Sequence, residues 1–213
     1  ISDTTTSIVA DNLYSTHPLN EGTHRSYGVA YQNGGTYTIS IADGATLKIE
    51  NKLLPPMRNY GIAVMDGVTL NVDGNVKIDV LAGGTGQARG VRNNEVSSGA
   101  TLNFNGDLDV IATVYDSLVV GVDTWGGTTN VNGKANITAN RLATNAVISE
   151  WSNAVQVGWG GVMNFNGSEA NLTATSEGYT AQAVNTVDAQ SKIYFNSPIT
   201  VITADSDFGA NGI

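Results

Sequence analysis

The chain has 213 residues, 41% of them hydrophobic and only 14% charged, and 10 basic against 19 acidic side chains give a net charge of -9. That is enough apolar material for a folded core, but the acidic balance repels phosphate backbones and anionic lipid, so nucleic acid is excluded as a partner. With no cysteine there is neither a disulfide framework nor a thiolate zinc site, while Gly (25), Asn (23) and Thr (23) supply strand and turn chemistry.

Ile1, Ser2, Asp3 and Thr4 carry neither the basic nor the apolar part of a signal peptide, so the chain reads as a trimmed product. Alternation is weak before Tyr27, and Thr16, His17, Pro18, Leu19, Asn20, Glu21 and Gly22 read as a cap; residues 1–26 are therefore expected to close the end of a body spanning 27–213. Tyr27 to Tyr31 is a first short apolar-centred run, and a weak copy of an eight-residue unit begins at Gly44 with Leu47 and Ile49. Lys52 to Asn59, with Pro55 and Pro56, is a projecting loop. Tyr60 to Met65 repeats the Tyr27 run, and Gly67, Val68, Thr69, Leu70, Asn71, Val72, Asp73, Gly74 is the unit in full.

Val76, Ile78 and Val80 then alternate as a second strand, Leu81 to Ala88 is a glycine-rich loop, and Arg89 to Asn93 is the next short run. The unit returns as Gly99, Ala100, Thr101, Leu102, Asn103, Phe104, Asn105, Gly106, and as Gly126, Gly127, Thr128, Thr129, Asn130, Val131, Asn132, Gly133. Further copies start at Gly160 and Gln190. The second strand recurs as Leu108, Val110, Ala112, then Ala135, Ile137, Ala139, and finally Ile199 and Val201. Ser117 to Val122, Asn153 to Trp159 and Gln182 to Val187 close the coils; the six short runs centre on Val29, Ile62, Val91, Val119, Val155 and Val184. Ala139 to Ser152 is the longest spacer.

Three short strands per unit of about 29 residues, with no helical periodicity and no apolar run of membrane-spanning length, predict an all-β, three-sided parallel β-helix of about six to seven coils. Equivalent strands would stack about 4.8 Å apart, giving a rod on the order of 30 Å long. Asn105, Asn132, Asn166 and Asn196 fall in one corner column, followed by Gly106, Gly133, Gly167 and Ser197, which predicts a left-handed corner and amides bonded from rung to rung. The competing architecture is an antiparallel sandwich, which has no need of a repeat in register.

The octets at Gly67 and Gly99 resemble the degenerate repeats of autotransporter passenger domains of Gram-negative bacteria, over about Gly44 to Thr203. The resemblance implies a right-handed β-helix exported across the outer membrane and displayed at the cell surface or released. It also implies that this chain is a piece of a longer passenger, since no membrane-barrel strands follow Ile213, and that the piece comes from the N-terminal portion, since the stabilising module near a passenger's C-terminal end is not evident. The partners it implies are a host or bacterial surface protein or glycan, or a second copy of the chain.

No pattern calls for a cofactor. His17 and His24, both in the cap segment, have no nucleophile motif to work with. Gly83 to Gly90 lacks the ending of a phosphate loop, and the triplets at Asn136, Asn166 and Asn171 that match the glycosylation pattern are expected by chance in so Asn-rich a chain. A polysaccharide lyase or hydrolase is the enzymatic alternative, with Arg89 and Arg92 as its basic residues and converging carboxylates as its requirement. Asp66, Glu95 and Asp123 end the short run on three successive coils, with Asp188 two coils later; the first three are calcium candidates, turn residues otherwise. For recognition the aromatic residues stand out: Trp125, Trp151 and Trp159, with Tyr115 nearby, offer indole faces to a sugar or a protein. The sequence reading is thus a binding module without chemistry of its own.

Overall fold

The computed structural model describes residues 6–10, 25–54, 58–94, 99–142, 150–207 and 209–212. Every regular element among them is a β-strand. The strands form three sheets, each parallel throughout. Sheet A has seven strands, from Thr6–Ala10 and Thr46–Leu53 through Asn75–Ala82, Leu108–Val114, Ala135–Arg141 and Glu169–Ser176 to Ile199–Ser206. Sheet B also has seven: Arg25–Tyr31, Arg58–Val64, Gln87–Asn93, Val119–Trp125, Ser152–Gly158, Thr180–Thr186 and Gly209–Asn211. Sheet C has six: Gly35–Ser40, Val68–Asp73, Thr101–Phe104, Thr128–Val131, Val162–Phe165 and Lys192–Phe195. The chain visits B, C and A in turn, so each coil lays one strand on each sheet: a three-sided parallel β-helix of about six turns.

The repeated octet is the strand of sheet C. Its first copy is the strand Gly35–Ser40, paired with Val68–Asp73, whereas Leu47 and Ile49 of the weak Gly44 unit pair with Val76 and Ile78 in sheet A. Thr6–Ala10, in the segment expected to cap, pairs with Leu47–Asn51 as an edge strand of sheet A; His17 and the other residues expected to form the cap turn lie outside the described residues, as do Pro55, Pro56 and half of the Ala139–Ser152 spacer.

The inward columns form the core. Leu70, Leu102, Thr129, Met163 and Ile193 stack in sheet C beside Val72, Phe104, Val131, Phe165 and Phe195, with the last two rings stacked nearly parallel, their centres 5.3 Å apart. In sheet A, Ile49, Ile78, Val110, Ile137 and Leu172 lie in register. The last rung departs from expectation: Leu172 pairs with Ile202, so Ile202 and Ala204 face inward while Ile199 and Val201 are exposed. A shift of one residue turns a strand over.

In sheet B the register is Val29, Ile62, Val91, Val122, Val155 and Val184; Val119, expected in that column, pairs instead with Ala88 and Ser152. Each of these residues follows a small one: Gly28, Gly61, Gly90, Gly121, Ala154 or Ala183. The space explains it, because a Cβ on Gly121 would stand 2.3 Å from Ile137 Cγ2 and 2.6 Å from the Ala154 carbonyl.

The corner between sheets C and A is not left-handed at Gly106, Gly133 or Gly167. Glycine is needed there for close stacking: a Cβ on Gly133 would lie 2.3 Å from the Gly106 oxygen. Positive φ belongs mainly to the corner between B and C, at Asn33, Asp66, Trp159 and several glycines.

The amide ladders are present. At the C–A corner Asn105 Nδ2 donates to Asp73 Oδ1 at 2.7 Å, and Asn132, Asn166 and Asn196 follow at 2.8, 3.0 and 2.8 Å. On sheet A, Asn136 donates to Asp109 and Asn171 to Asn136. A carboxylate only accepts, so Asp73 and Asp109 fix the direction of every amide behind them.

Candidate functional site

The middle strands of sheets A and C bury one face and leave the other partly exposed, whereas those of sheet B are buried on both. The outer side of sheet B carries a cluster that begins with Tyr27 stacked on Tyr60 at 5.0 Å and the Arg89 guanidinium 5.8 Å from the Tyr60 ring centre. Asp123 pairs across the rungs with Arg92, and its side chain is 0% exposed. Arg89 Nε donates to Asp123 Oδ2 at 2.7 Å, and Arg92 donates to the same oxygen. Burial leaves little water to screen this ion pair, and a carboxylate there requires its partners.

The other carboxylate oxygen of Asp123 accepts the indole N–H of Trp125, and the Arg92 guanidinium lies 5.2 Å from the Trp125 ring centre. The indole also lies against Gly158, where a Cβ would be 3.3 Å from the ring. Trp125 in turn supports Trp159, with ring centres 5.8 Å apart. Trp159 is 62% exposed, at φ 55°. A left-handed backbone at a bulky residue costs on the order of 1–3 kcal/mol and persists only where its surroundings enforce it. The Trp159 N–H donates to Asp188 Oδ2, and Asp188 also accepts from the Gln190 and Ser191 amides at 2.9 and 3.0 Å and from the Ser191 hydroxyl at 2.9 Å. Partial desolvation pushes the Asp188 carboxyl up, but the bonds from Ser191, Gln190 and Trp159 together outweigh it and hold the group below the usual carboxylate range.

The sequence candidates are thus divided. Trp125 and Trp159 meet at the B–C corner, whereas Trp151, 43% exposed, stands at the opposite end of the Ser152–Gly158 strand. Tyr115 follows Leu108–Val114 at the A–B corner and is half-buried. Asp66 and Asp123 do not share a column: Asp123 pairs with Arg92, which pairs with Ala63, three residues before Asp66. Glu95 and His24 lie outside the described residues, and no group of three His, Cys, Asp or Glu side chains gathers among those described. Arg89 and Arg92 converge on one carboxylate, and both are committed to it. Gly83 to Gly86 is a tight turn, closed by the Gly86 N–H on the Gly83 carbonyl at 3.0 Å.

Sequence reasoning missed the roles of Asp123, which accepts from the Trp125 indole, and of Asp188, which accepts from the Trp159 backbone N–H. The small residue ahead of Val122 was the signal that would have set the register and placed Asp123 beside Arg92. Arg141 was also missed: it occupies an inward position beside Val114 and Ser176, is fully buried, donates to the Glu177 carbonyl at 3.1 Å, and lies 5.9 Å from the Tyr179 ring centre.

Comparison with protein-family models, with curated proteins and with solved structures returns no match. No helix among the described residues is long and apolar enough to cross a membrane.

Proposed function

We propose that this chain is a rigid binding rod, the passenger part of an adhesin exported to a bacterial surface, which attaches cells to a glycan, to a surface protein or to one another. The observation that carries this reading is Trp159: an exposed indole in a strained backbone, backed by Trp125 and tied to Asp188. The B–C corner and the Trp125 ring hold this indole in place, and a ring fixed before contact loses little entropy on binding. The polysaccharide-degrading alternative is weaker, because both arginines it would use are bound to a single buried carboxylate.

The test is attachment of the purified chain to bacterial and host cells and to a glycan array, with Trp159→Ala as the diagnostic variant. The reading expects binding that falls at least tenfold in the variant with the fold intact, the scale of losing a central aromatic contact. Turnover of an acidic polysaccharide by the wild-type chain, or attachment indifferent to Trp159, defeats it.

A further inference from the structure

The outer face of sheet C combines three properties. One outward column runs Thr38, Asn71, Asn103, Asn130, Asn164 and Tyr194, one residue per rung. The three rungs from Thr101, Thr128 and Val162 place no charged residue on this face, although the chain as a whole carries -9. Asn103, Asn130 and Asn164 each donate one Nδ2 hydrogen to the preceding amide at 2.7–2.8 Å. Every such amide keeps a second N–H and a further lone pair for a ligand.

A surface that offers donors and acceptors together matches hydroxyl groups, which do both; a sulfate or carboxylate only accepts and an ammonium only donates. Anionic polymers and a second copy of this acidic chain are both repelled by its net charge. Tyr194, 45% exposed, extends the Asn column with an aromatic ring, and Trp159 stands three residues before the Val162–Phe165 strand. Rungs recur about every 4.8 Å, close to the length of one pyranose residue, so a linear chain along the axis meets an equivalent amide at each step.

We infer that this face is a track for a neutral, linear polysaccharide lying across Asn103, Asn130 and Asn164 with one sugar ring stacked on Tyr194. The inference rests on the reading of the chain as a binding module and names its ligand class. It is tested by retention of the purified chain on insoluble cellulose, chitin and β-1,3-glucan, with alginate beads as the anionic comparison. Retention on at least one neutral polymer is expected, reduced about tenfold by Tyr194→Ala, the scale of one lost stacking contact. It should be abolished by Thr101→Glu with Thr128→Glu; circular dichroism and melting of each variant report whether the fold is kept. Absence of retention on all three neutral polymers, preference for alginate, or retention unchanged in Tyr194→Ala overturns the inference. So does a concentration-dependent dimer lost in the same variant, which would give the face to a second copy. Trp159-dependent attachment to cells without polysaccharide retention would sink this inference alone; failure of both assays would sink the reading beneath it.

Discussion

Asp123→Ala removes the acceptor on which the outer side of sheet B depends. The carboxylate is 0% exposed and takes hydrogen bonds from Arg89, at 11% exposure, from Arg92, at 9%, and from the Trp125 indole. Truncation leaves Arg92 buried without an acceptor for its terminal nitrogen among the described residues. Breaking a buried pair by deleting one partner costs about 3–5 kcal/mol, and a chain of this size loses roughly 2–4 °C of Tm per kcal/mol, so Tm should fall by about 6–20 °C. Asp123→Asn keeps an acceptor for Trp125 or for one arginine and should lose about half as much. Replacing all three, Arg89→Met, Arg92→Met and Asp123→Leu, should restore most of the stability, because no buried charge is left alone. Urea unfolding followed by tryptophan emission reads the B–C corner, while far-ultraviolet circular dichroism reads the whole rod. A loss below about 1 kcal/mol in Asp123→Ala would refute the argument, since the cluster would then be behaving as a solvated surface pair.

Gly121→Ala should destabilise by about 1–3 kcal/mol through overpacking against Ile137 and the Ala154 carbonyl, measured by the same urea series; a neutral result would mean that sheets A and B can separate locally. Asn132→Ala interrupts the corner ladder in its middle and loses two hydrogen bonds, against one for Asn196→Ala at its end; differential melting should rank them in that order, each costing less than about 1.5 kcal/mol because both positions are exposed to water. The folded Asp188 carboxyl titrates lower than in the unfolded chain, so its contribution is full above the ordinary carboxylate value and disappears as pH falls through the lowered one. Trp159 emission should therefore change in acid, below about pH 4, and Asp188→Asn should remove that transition; a Trp159 signal that titrates unchanged in Asp188→Asn rejects the link.

The β-helix was legible because octets such as Gly99 to Gly106 return with the same alternation, and alternation in register is what stacked strands require. The corner amides were legible for the same reason: Asn105, Asn132, Asn166 and Asn196 hold one place in four copies. The short run in sheet B was harder. Its ends vary from coil to coil, so aligning it by its closing acid put Asp123 with Asp66, whereas packing against Ile78, Val110 and Ile137 fixes it by the small residue in its middle. That slip of three residues hid the ion cluster. The pairing of Trp125 with Trp159 rather than with Trp151 was legible but not read: each directly precedes the first glycine of its octet, Gly126 and Gly160, whereas Trp151 does not. Inverted facing of Ile199 and Val201 follows from one extra residue that enters the C–A turn after Phe165 and is kept in the turn containing Asn196, Ser197 and Pro198.

The carboxylates that terminate the ladders give the rod an electrical sense as well as a mechanical axis. Because Asp73 and Asp109 can only accept, the amides behind them point their N–H groups toward the earlier coils and their oxygens toward the later ones, and the Asn71 column runs the same way. Amide dipoles aligned in this manner present their positive ends to Asp73 and Asp109, so each carboxylate sits where its ladder stabilises negative charge. A carboxylate in place of Asn196, at the far end of the corner ladder, could not donate to Asn166, so an acid is accommodated at the earlier-coil end alone.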